Sequence, residues 1–236
     1  MQDQFSRTRA LLGQAAIDRL AESRVAIFGL GGVGGHATEA LARTGVGHFA
    51  IFDNDTICIT NLNRQIIATH RTVGRYKTDV MAERILEINP NAAVEAHRVF
   101  YGPDVAGDFD FSAYDYIVDA IDTVSAKLEL VARAAAANTP IICAMGAANK
   151  LDPTAFEVTD IFRTEQDALA RVMRRELRKR GIESLKVVYS KEAAQKQAEP
   201  LPLINTVRRQ IPASNAFVPG TAGLILAGEV VKALIP

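Results

Sequence analysis

Residues 24–34, RVAIFGLGGVG, pass from a short apolar run directly into a glycine-rich turn. An apolar run of this length that ends in glycine is typical of a buried parallel strand. The next residues, 33–44, carry apolar side chains at helical spacing, and Gly45 is expected to end the helix. The stretch therefore predicts a strand, a tight turn and a helix, which is the first unit of a doubly wound α/β fold.

The alternation of strands and helices continues along the chain to about residue 144. Residues 78–88, which Asn89-Pro90 terminates, and residues 124–137 have helical periodicity. Such alternation favours a Rossmann-like α/β fold with a doubly wound, mostly parallel sheet. The apolar runs that predict the further strands are residues 48–53, 93–99, 114–119 and 140–144.

The pattern changes after residue 150. Residues 155–160 alternate like an antiparallel strand, residues 167–180 are helical, and residues 185–190 predict another strand. Residues 191–212 are rich in Pro, Gln and Lys, which predicts a long, mobile crossover loop before a last helix at about 219–234. We therefore expect one domain over residues 1–236, with a core at 1–150 and a C-terminal antiparallel extension at 151–236.

Composition limits the class of protein. Of the 236 residues, 48% are hydrophobic and 23% are charged, as in ordinary soluble globular proteins. The two cysteines, Cys58 and Cys143, cannot form a disulfide framework or a zinc site made of CxxC pairs. The N-terminus is too polar for a signal peptide, and Glu229 and Lys232 interrupt the apolar C-terminal stretch. We expect a cytoplasmic protein with reduced thiols, no zinc and no transmembrane segment, although a peripheral membrane contact through the C-terminal helix stays open.

Charge is balanced over the whole chain but unevenly distributed. Residues 1–162 contain 14 Lys and Arg against 20 Asp and Glu, whereas residues 163–209 contain 12 against 6. The excess is concentrated in RVMRRELRKRG, residues 171–181, which is either a solvated helix face or a surface for a phosphate backbone. Under the second interpretation the nucleic-acid-binding residues are Arg171, Arg174, Arg175, Arg178, Lys179 and Arg180.

The glycine-rich turn is a candidate phosphate-binding loop. Glycines let the backbone approach a pyrophosphate, and the N-terminus of the following helix favours negative charge. Asp53 ends the next predicted strand, where a carboxylate can bind ribose hydroxyls. These features predict a nucleotide site, but they do not separate a dinucleotide oxidoreductase from an enzyme that uses ATP.

The residues beyond Asp53 separate these two classes. Cleavage of ATP between its α and β phosphates needs cations beside the leaving pyrophosphate and a divalent metal that neutralises charge. Arg64 and Lys77 suit the first requirement. Asp122, at the end of the predicted strand in DAID, suits the second. Each residue alone would be explained as a surface ion pair or a helix cap, but together with the glycine loop they favour ATP cleavage.

Four motifs occur in order: GLGGVG, DxDxxxxxNLNRQ, the lysine in VGRYKTDVMAERILEINP, and DAIDT. Over about residues 5–150 the chain resembles the ubiquitin-activating-type (E1-like) superfamily, which includes bacterial sulfur-carrier adenylyltransferases. The resemblance implies a homodimer that adenylates a carboxylate with ATP and Mg²⁺ and releases pyrophosphate. Residues 1–150 would then bind the nucleotide, and residues 151–236 would lie on the substrate side.

The resemblance also implies roles for individual residues. Arg7 matches an arginine that reaches across a dimer to the neighbour's ATP, although Gln4 stands where relatives often have another Arg. Asp122 would bind Mg²⁺. The expected catalytic residues are Arg7, Arg64, Lys77 and Asp122. The residues expected to bind ATP are Gly29, Gly31, Gly32, Gly34, Asp53, Asp55, Asn61, Arg64, Gln65 and Lys77.

The second half of the chain narrows the resemblance. The segments LDPTAFEVTDIFRTEQDALARVMRRELRKRGI and AFVPGTAGLILAGEVVKALI are similar to tRNA threonylcarbamoyladenosine dehydratases. This implies adenylation of the threonylcarbamoyladenosine carboxylate in tRNA, then cyclisation with loss of water, and a tRNA substrate would explain the basic segment. An acyl adenylate offers a good leaving group to an intramolecular nucleophile, so no catalytic cysteine is required. Cys143 is expected in the core, and Cys58 lies in the loop beside the ATP motif.

Four alternatives stay open. An adenylyltransferase for a ubiquitin-like sulfur carrier would usually carry two CxxC pairs and a later reactive cysteine, which this chain does not have. A sulfur-accepting partner of a cysteine desulfurase would need a reactive Cys58 or Cys143. An NAD-dependent oxidoreductase would leave Arg64, Lys77 and Asp122 without a purpose. A nonenzymatic nucleotide-binding module would bind ATP without releasing pyrophosphate.

Overall fold

The computed structural model describes residues 2–199 and 212–235. Short 3₁₀ turns, such as Ile59–Asn61, lie between the longer elements. The strands are β1 (Arg24–Phe28), β2 (His48–Phe52), β3 (Ala93–His97), β4 (Tyr116–Asp119), β5 (Ile141–Ala144), β6 (Phe156–Asp160) and β7 (Lys186–Ser190). The α-helices are α1 (Ser6–Leu12), α2 (Gln14–Glu22), α3 (Gly34–Thr44), α4 (Lys77–Ile88), α5 (Val124–Ala137), α6 (Ala168–Lys179) and α7 (Phe217–Leu234).

The strands form one seven-stranded sheet in the order β3-β2-β1-β4-β5-β7-β6. Neighbouring strands are parallel, except that β6 runs antiparallel to β7. The predicted doubly wound sheet and its antiparallel extension are confirmed. Because the chain winds outward from β1 to one edge and then from β4 to the other, the strand order reverses between β1 and β4. Ligands of open α/β sheets bind in the crevice at such a point.

Helices cover both faces of the sheet, and the pleat of β1 divides its side chains between them. Val25 and Ile27 pack in the cluster that contains residues of α3, α4 and α7. Phe28 lies in a second cluster with Phe52 and with residues of α5, and its ring stacks on that of Phe52 at 4.1 Å between centroids. Burial of each such side chain contributes about 1.5–3 kcal/mol, which explains the continuous apolar pattern of the strand.

The sequence predicted the central elements to within about two residues, but it did not predict every element. No helix was expected before Arg24, where the structure has α1 and α2. The first of these buries no residue, so it has no apolar face that a sequence pattern could show, and the second is a short helix that buries Ala16, Ile17 and Leu20. Residues 200–211 of the predicted crossover loop lie outside the described residues.

Candidate active site

A cavity of about 940 Å³ opens at the carboxyl edge of the sheet, beside the ends of β1 and β4. This volume lies near the upper end for ligand pockets, so the cavity is large enough for a nucleotide. The glycines and the polar or charged residues of its N-terminal wall include Gly29, Gly31, Gly32, Asp53, Asp55, Asn61, Arg64, Gln65, Lys77 and Asp122. The same wall also contains Val33, Phe52, Asn54, Thr56, Cys58, Val99, Phe100, Tyr101, Ala120, Ile121 and Thr123, which were not predicted as site residues. Its C-terminal wall consists of Ala144, Met145, Gly146, Ala147, Ala148, Leu169, Pro212, Ser214 and Pro219.

The glycine loop presents its backbone to the cavity. Gly29, Gly31 and Gly32 line it, whereas Gly34 is buried outside the lining. A Cβ atom on Gly34 would lie 1.8 Å from the carbonyl oxygen of Gly29, so a larger residue there would displace the loop. Gly34 therefore lets α3 begin directly beside the loop, and the structure gives it a packing role rather than a place on the cavity surface.

Asp53 connects the glycine loop to Lys77. One carboxylate oxygen of Asp53 accepts a hydrogen bond from the Leu30 amide at 2.8 Å, and the other lies 3.5 Å from Lys77 Nζ. Lys77 Nζ also donates to Asp55 Oδ2 at 2.6 Å. The lysine is 5% exposed and starts α4, so its ammonium group is held at the cavity edge. The three charged groups that the sequence placed in the nucleotide site thus lie together.

Arg64 and Gln65 are the two groups of the N-terminal wall that are best prepared for an anionic or polar ligand. Arg64 donates from Nη1 to the Thr60 carbonyl oxygen at 3.1 Å and to Asn63 Oδ1 at 2.9 Å. Burial lowers the pKa of its guanidinium, and no ion pair joins it to a carboxylate of residues 2–199 or 212–235. Gln65 is 6% exposed, and its Oε1 has no hydrogen-bond partner within the described chain. A ligand with phosphate oxygens and hydrogen-bond donors would satisfy both side chains.

A fully buried ion pair fixes the loop that carries Asp122. Lys127 Nζ lies 2.8 Å from Asp119 Oδ2, and neither side chain is exposed to solvent. Lys127 also donates to the Ile121 carbonyl oxygen at 3.0 Å, and Asp119 Oδ1 accepts from the Ile121 amide at 3.1 Å. Both peptide groups of Ile121 are therefore held, and the adjacent Asp122 is placed in the cavity lining.

The donors near Asp122 suit one kind of metal site. The described residues contain no group of three or more His, Cys, Asp or Glu side chains that could hold a metal ion. Mg²⁺ usually binds to one or two carboxylates together with substrate phosphates and water, so it needs no such protein cage. Asp122 beside the glycine loop is compatible with that arrangement.

The sequence did not predict the C-terminal wall. Its side chains are mostly small or apolar, and they come from the end of β5, the first turn of α6 and the residues around the start of α7. One signal was present: residues 145–148 follow a predicted parallel strand, and the carboxyl ends of such strands face the ligand crevice. The contributions of Leu169 and Ser214 depend on contacts between distant parts of the chain.

Two groups of predicted site residues lie outside the cavity lining. Arg7 is exposed on α1. The basic residues of α6 fall into two sets. The half-buried set is Arg174 alone, which donates to the Thr164 carbonyl oxygen at 2.9 Å. The other basic residues are exposed, and one of them, Arg178, lies over the Phe162 ring. The exposed basic face of α6 consists of Arg171, Arg175, Arg178 and Lys179, together with Arg180, which directly follows the helix.

Comparison with known proteins identifies the family. A family model described as the ThiF family matches residues 5–235. The chain belongs to the ThiF family. It is 41% identical over 249 residues to the tRNA threonylcarbamoyladenosine dehydratase of Bacillus subtilis, an alignment that covers 100% of this chain and 96% of that relative.

Solved structures agree with this relationship. The E. coli tRNA N6-threonylcarbamoyladenosine dehydratase TcdA in complex with ATP superposes with a TM-score of 0.88 at 34% identity, and the match covers 98% of this chain and 93% of that one. The same E. coli protein in complex with AMP also gives a TM-score of 0.88. The predicted relationship to the E1-like superfamily and the predicted fold class are confirmed.

The two cysteines of this ThiF-family chain have opposite environments. Cys58 is exposed and lines the cavity, and a hydrogen bond with the Thr60 hydroxyl is the main cause that lowers the pKa of its thiol. Cys143 is fully buried on β5, and burial raises the pKa of its thiol well above the usual value. Cys143 is therefore a core residue, as expected, and only Cys58 is accessible to a reactant.

Helix α7 is long and apolar enough to span a membrane by length and composition, with a mean hydropathy of 1.4. In this structure 56% of it is buried inside the protein, where it packs against α3 and the sheet. Its exposed apolar side chains include Phe217 and Leu224. Its apolar composition is thus explained largely by its place in the core.

Proposed function

We propose that this chain uses ATP to adenylate the carboxylate of threonylcarbamoyladenosine in tRNA, and that the acyl adenylate then cyclises with loss of water. Similarity over the full chain to the Bacillus subtilis dehydratase supports this substrate, and the E. coli complexes with ATP and AMP support the nucleotide. The observation that carries the proposal is the meeting of the glycine loop, Arg64, Lys77 and Asp122 in one cavity.

Transfer of the adenylyl group is the first step. A carboxylate oxygen of the substrate attacks the α-phosphorus of ATP, the bond from the α-phosphorus to the bridging oxygen breaks, and pyrophosphate leaves. Negative charge grows on the leaving group, and Arg64 and Lys77 are the cations that would stabilise it. Arg64 suits this role because no carboxylate of the described residues neutralises it.

The other residues of the N-terminal wall would hold the nucleotide. Asp53 would bind the ribose hydroxyls, while Asp55, Asn61 and Gln65 would complete the pocket. Asp122 would hold Mg²⁺ together with phosphate oxygens. When bound, the ion would neutralise part of the phosphate charge.

Cyclisation is the second step, and it depends more on how the cavity places the substituent than on charged side chains. A nucleophile in the same substituent attacks the acyl carbon, the bond to the AMP oxygen breaks, and a proton is lost to solvent. AMP thereby carries away one oxygen of the original carboxylate, which accounts for the loss of water from the base. The small and mostly apolar C-terminal wall would leave room for this substituent beside the α-phosphate.

The exposed basic face of α6 is our proposed tRNA-binding surface. Phosphate contacts position a nucleic acid without reading its sequence, and Arg and Lys provide most of them. This face lies outside the cavity lining, while Leu169 in the first turn of the same helix is part of it. A tRNA backbone bound along α6 would therefore lie next to the cavity that receives the modified base.

We also propose a homodimer in which Arg7 serves the partner's active site. Arg7 is exposed and absent from the cavity lining of its own chain, which supports a role in trans. Mixing Arg7→Ala chains with Lys77→Ala chains tests this. Activity that returns on mixing two inactive variants would support the shared site, and two variants that stay inactive when mixed, while still forming dimers, would contradict it.

Isotope labelling tests the proposed reaction. The substrate is tRNA whose threonylcarbamoyladenosine carries ¹⁸O in the carboxylate, incubated with ATP and Mg²⁺. We expect one ¹⁸O atom in AMP, none in pyrophosphate, and a modified base lighter by one water molecule. Unmodified tRNA is the control. ATP binding without release of pyrophosphate in the presence of the modified tRNA would overturn the proposal.

The same assay distinguishes the alternative functions. Pyrophosphate release that requires a ubiquitin-like protein ending in Gly-Gly would indicate a sulfur-carrier adenylyltransferase. A partnership with a cysteine desulfurase remains a proposal, supported by the accessible Cys58, and its test is transfer of persulfide sulfur to that residue.

A cytoplasmic location is likewise proposed, and fractionation of the tagged protein tests it.

A further inference from the structure

Helix α6 and the loop after β5 lie far apart in the sequence but share one buried carboxylate. Asp167 immediately precedes α6, and one of its oxygens, Oδ1, accepts a hydrogen bond from the Ala170 amide at 2.7 Å. The other oxygen, Oδ2, accepts from the amide of Gly146 at 3.1 Å. Since Gly146 lines the cavity, Asp167 connects the start of the basic helix with the C-terminal wall.

Gly146 is shaped for this contact. A Cβ atom on Gly146 would lie 2.9 Å from Asp167 Oδ2, which is too close for an ordinary side chain. Any larger residue would push the carboxylate away from the loop or the loop into the cavity. The close approach of Asp167 therefore depends on a glycine at this position.

Lys150 ties the same carboxylate to the sheet. Its Nζ lies 3.6 Å from Asp167 Oδ2 and donates to the carbonyl oxygen of Ser190, at the end of β7, at 3.0 Å. Lys150 and Asp167 are each 5% exposed. Burial lowers the pKa of the Lys150 ammonium, and the charge of Asp167 opposes this effect.

This arrangement exceeds what a helix cap needs. A neutral or solvent-exposed side chain caps a helix N-terminus adequately, whereas burying an ion pair incurs a desolvation cost. The added contacts fix α6 relative to the cavity loop and to β7. Leu169, two residues after Asp167, also lines the cavity. Asp167 therefore influences the cavity wall both through Gly146 and through the first turn of α6.

We propose that Asp167 is a positioning residue that fixes the position of the RNA-binding helix α6 relative to the C-terminal wall, so that RNA bound on α6 presents its modified base to the adenylation site. This inference rests on the proposed function. Asp167 lies outside the cavity lining and acts through Gly146 and α6. Its effect should therefore fall on turnover rather than on the binding of either substrate.

Asp167→Asn separates the cap from the connection. Asparagine is as good an N-cap as aspartate, so its side-chain oxygen can still accept from Ala170. Its NH₂ group would replace Oδ2, which removes the acceptor for the Gly146 amide and the charge beside Lys150. Because a misplacement of about 1 Å can cost about 100-fold in rate, we expect kcat to fall about 10- to 100-fold while the Kd values for ATP and for tRNA change less than about twofold.

Two further variants distinguish a loss of kcat from a loss of folding stability. Asp152→Asn is the matched control, since Asp152 caps an exposed 3₁₀ turn through Thr154 and does not line the cavity; it should leave kcat unchanged. The double variant Lys150→Met/Asp167→Asn removes the unpaired buried ammonium, and it should regain thermal stability without regaining kcat. Recovery of kcat together with stability would show that Asp167 is merely structural and would overturn the inference.

Hydrogen exchange gives a readout that does not depend on activity. We expect faster amide exchange in the peptide that contains Gly146 in Asp167→Asn than in the Asp152→Asn control. Unchanged exchange and unchanged kcat in Asp167→Asn, with an active wild-type protein, would overturn the positioning role and leave the proposed function intact. A wild-type protein that forms no cyclic product would instead overturn the proposed function.

Discussion

The two walls of the cavity are built in opposite ways. The N-terminal wall carries the charged groups, among them Arg64, Lys77 and Asp122, and these belong to short motifs between positions 29 and 122. The C-terminal wall carries mainly small and apolar side chains, from segments between positions 144 and 219. A buried lysine–aspartate pair supports each wall: Lys127–Asp119 beneath Asp122, and Lys150–Asp167 behind Gly146.

This difference assigns a separate task to each wall. Charge stabilisation at a phosphate is a property of a few named side chains, so it depends on which residues are present. Placement of a large substrate is a property of shape, so it depends on where backbone segments lie relative to one another. We therefore expect large, residue-specific losses from changes to the charged side chains of the N-terminal wall, and smaller losses from changes that concern RNA.

Asp122→Ala is expected to have the largest effect. If Asp122 holds the metal at the phosphates, its removal should lower kcat by about 10³-fold or more, because charge on the phosphates is then poorly neutralised. Pyrophosphate release at saturating ATP and Mg²⁺ measures this. Asp110→Ala is the control, since Asp110 is exposed and lies outside the cavity lining. An Asp122→Ala protein that keeps more than a tenth of wild-type kcat would refute the assignment.

Arg64→Ala should have the next largest effect. Loss of one cation that stabilises developing charge lowers rates by about 10²- to 10³-fold, and we expect a fall of that size in kcat/KM for ATP. Arg64→Lys should restore part of it, because lysine keeps the charge but not the two-pronged geometry. The exposed Arg71, which does not line the cavity, provides the control Arg71→Ala. Equal activity of Arg64→Ala and Arg71→Ala would contradict a phosphate-binding role for Arg64.

The charged part of the N-terminal wall could be predicted from the sequence because its chemistry is local. The glycine loop joins a strand to a helix within residues 24–44. Asp53 and Asp122 follow β2 and β4, the two strands that flank β1, so the rule for parallel sheets brings them to the same edge as the loop. Gly34 was expected along the phosphates, but its place beneath Gly29 depends on how closely α3 packs, which the motif alone does not state.

The C-terminal wall could not be predicted because its contacts are not local. Asp167 was visible only as a residue at the start of a helix, and nothing in the sequence connected it with Gly146 or Lys150. The buried partner of Lys127 was hidden in the same way, since both members of that pair are ordinary charged residues when they are read along the chain. Helix α1 escaped prediction because it is short and buries no residue.

Neutralising the exposed basic face of α6 should have a moderate effect that is specific to RNA. The triple variant Arg171→Gln/Arg175→Gln/Lys179→Gln removes three charges from this face. If each contacts one phosphate, the slope of log K against log salt concentration should become about 2.1 to 2.7 less negative, and tRNA affinity should fall at least about tenfold at physiological salt. The Kd for ATP should not change. An unchanged salt slope would show that these side chains do not contact RNA, and that this is a solvated helix face.

Arg174 on the same helix should behave differently. It is half-buried and donates to the Thr164 carbonyl oxygen, so Arg174→Gln removes an internal hydrogen bond of a charged donor. We expect a loss of about 1 kcal/mol in the free energy of unfolding, discounted for partial exposure, and little change in the salt slope. Denaturant unfolding together with tRNA binding at two salt concentrations measures both. A change in salt slope without a change in stability would move Arg174 into the RNA-binding set.

Cys58→Ser should have the smallest effect. It distinguishes cyclisation by an intramolecular nucleophile from chemistry that needs the Cys58 thiol. Cys58 lines the cavity and is exposed, and the Thr60 hydroxyl lowers the pKa of its thiol, so iodoacetamide should label it well before the buried Cys143. Reactivity is not function, however, because cyclisation by an intramolecular nucleophile needs no thiolate. Serine keeps the size and polarity of the side chain, and we expect turnover within about twofold of wild type, as for surface substitutions that remove no essential contact. A sulfur acceptor or a covalent thioester mechanism requires the opposite: Cys58→Ser would be inactive even though it still binds ATP. Turnover of the variant with the modified tRNA therefore separates an accessible thiol at the cavity edge from a catalytic one.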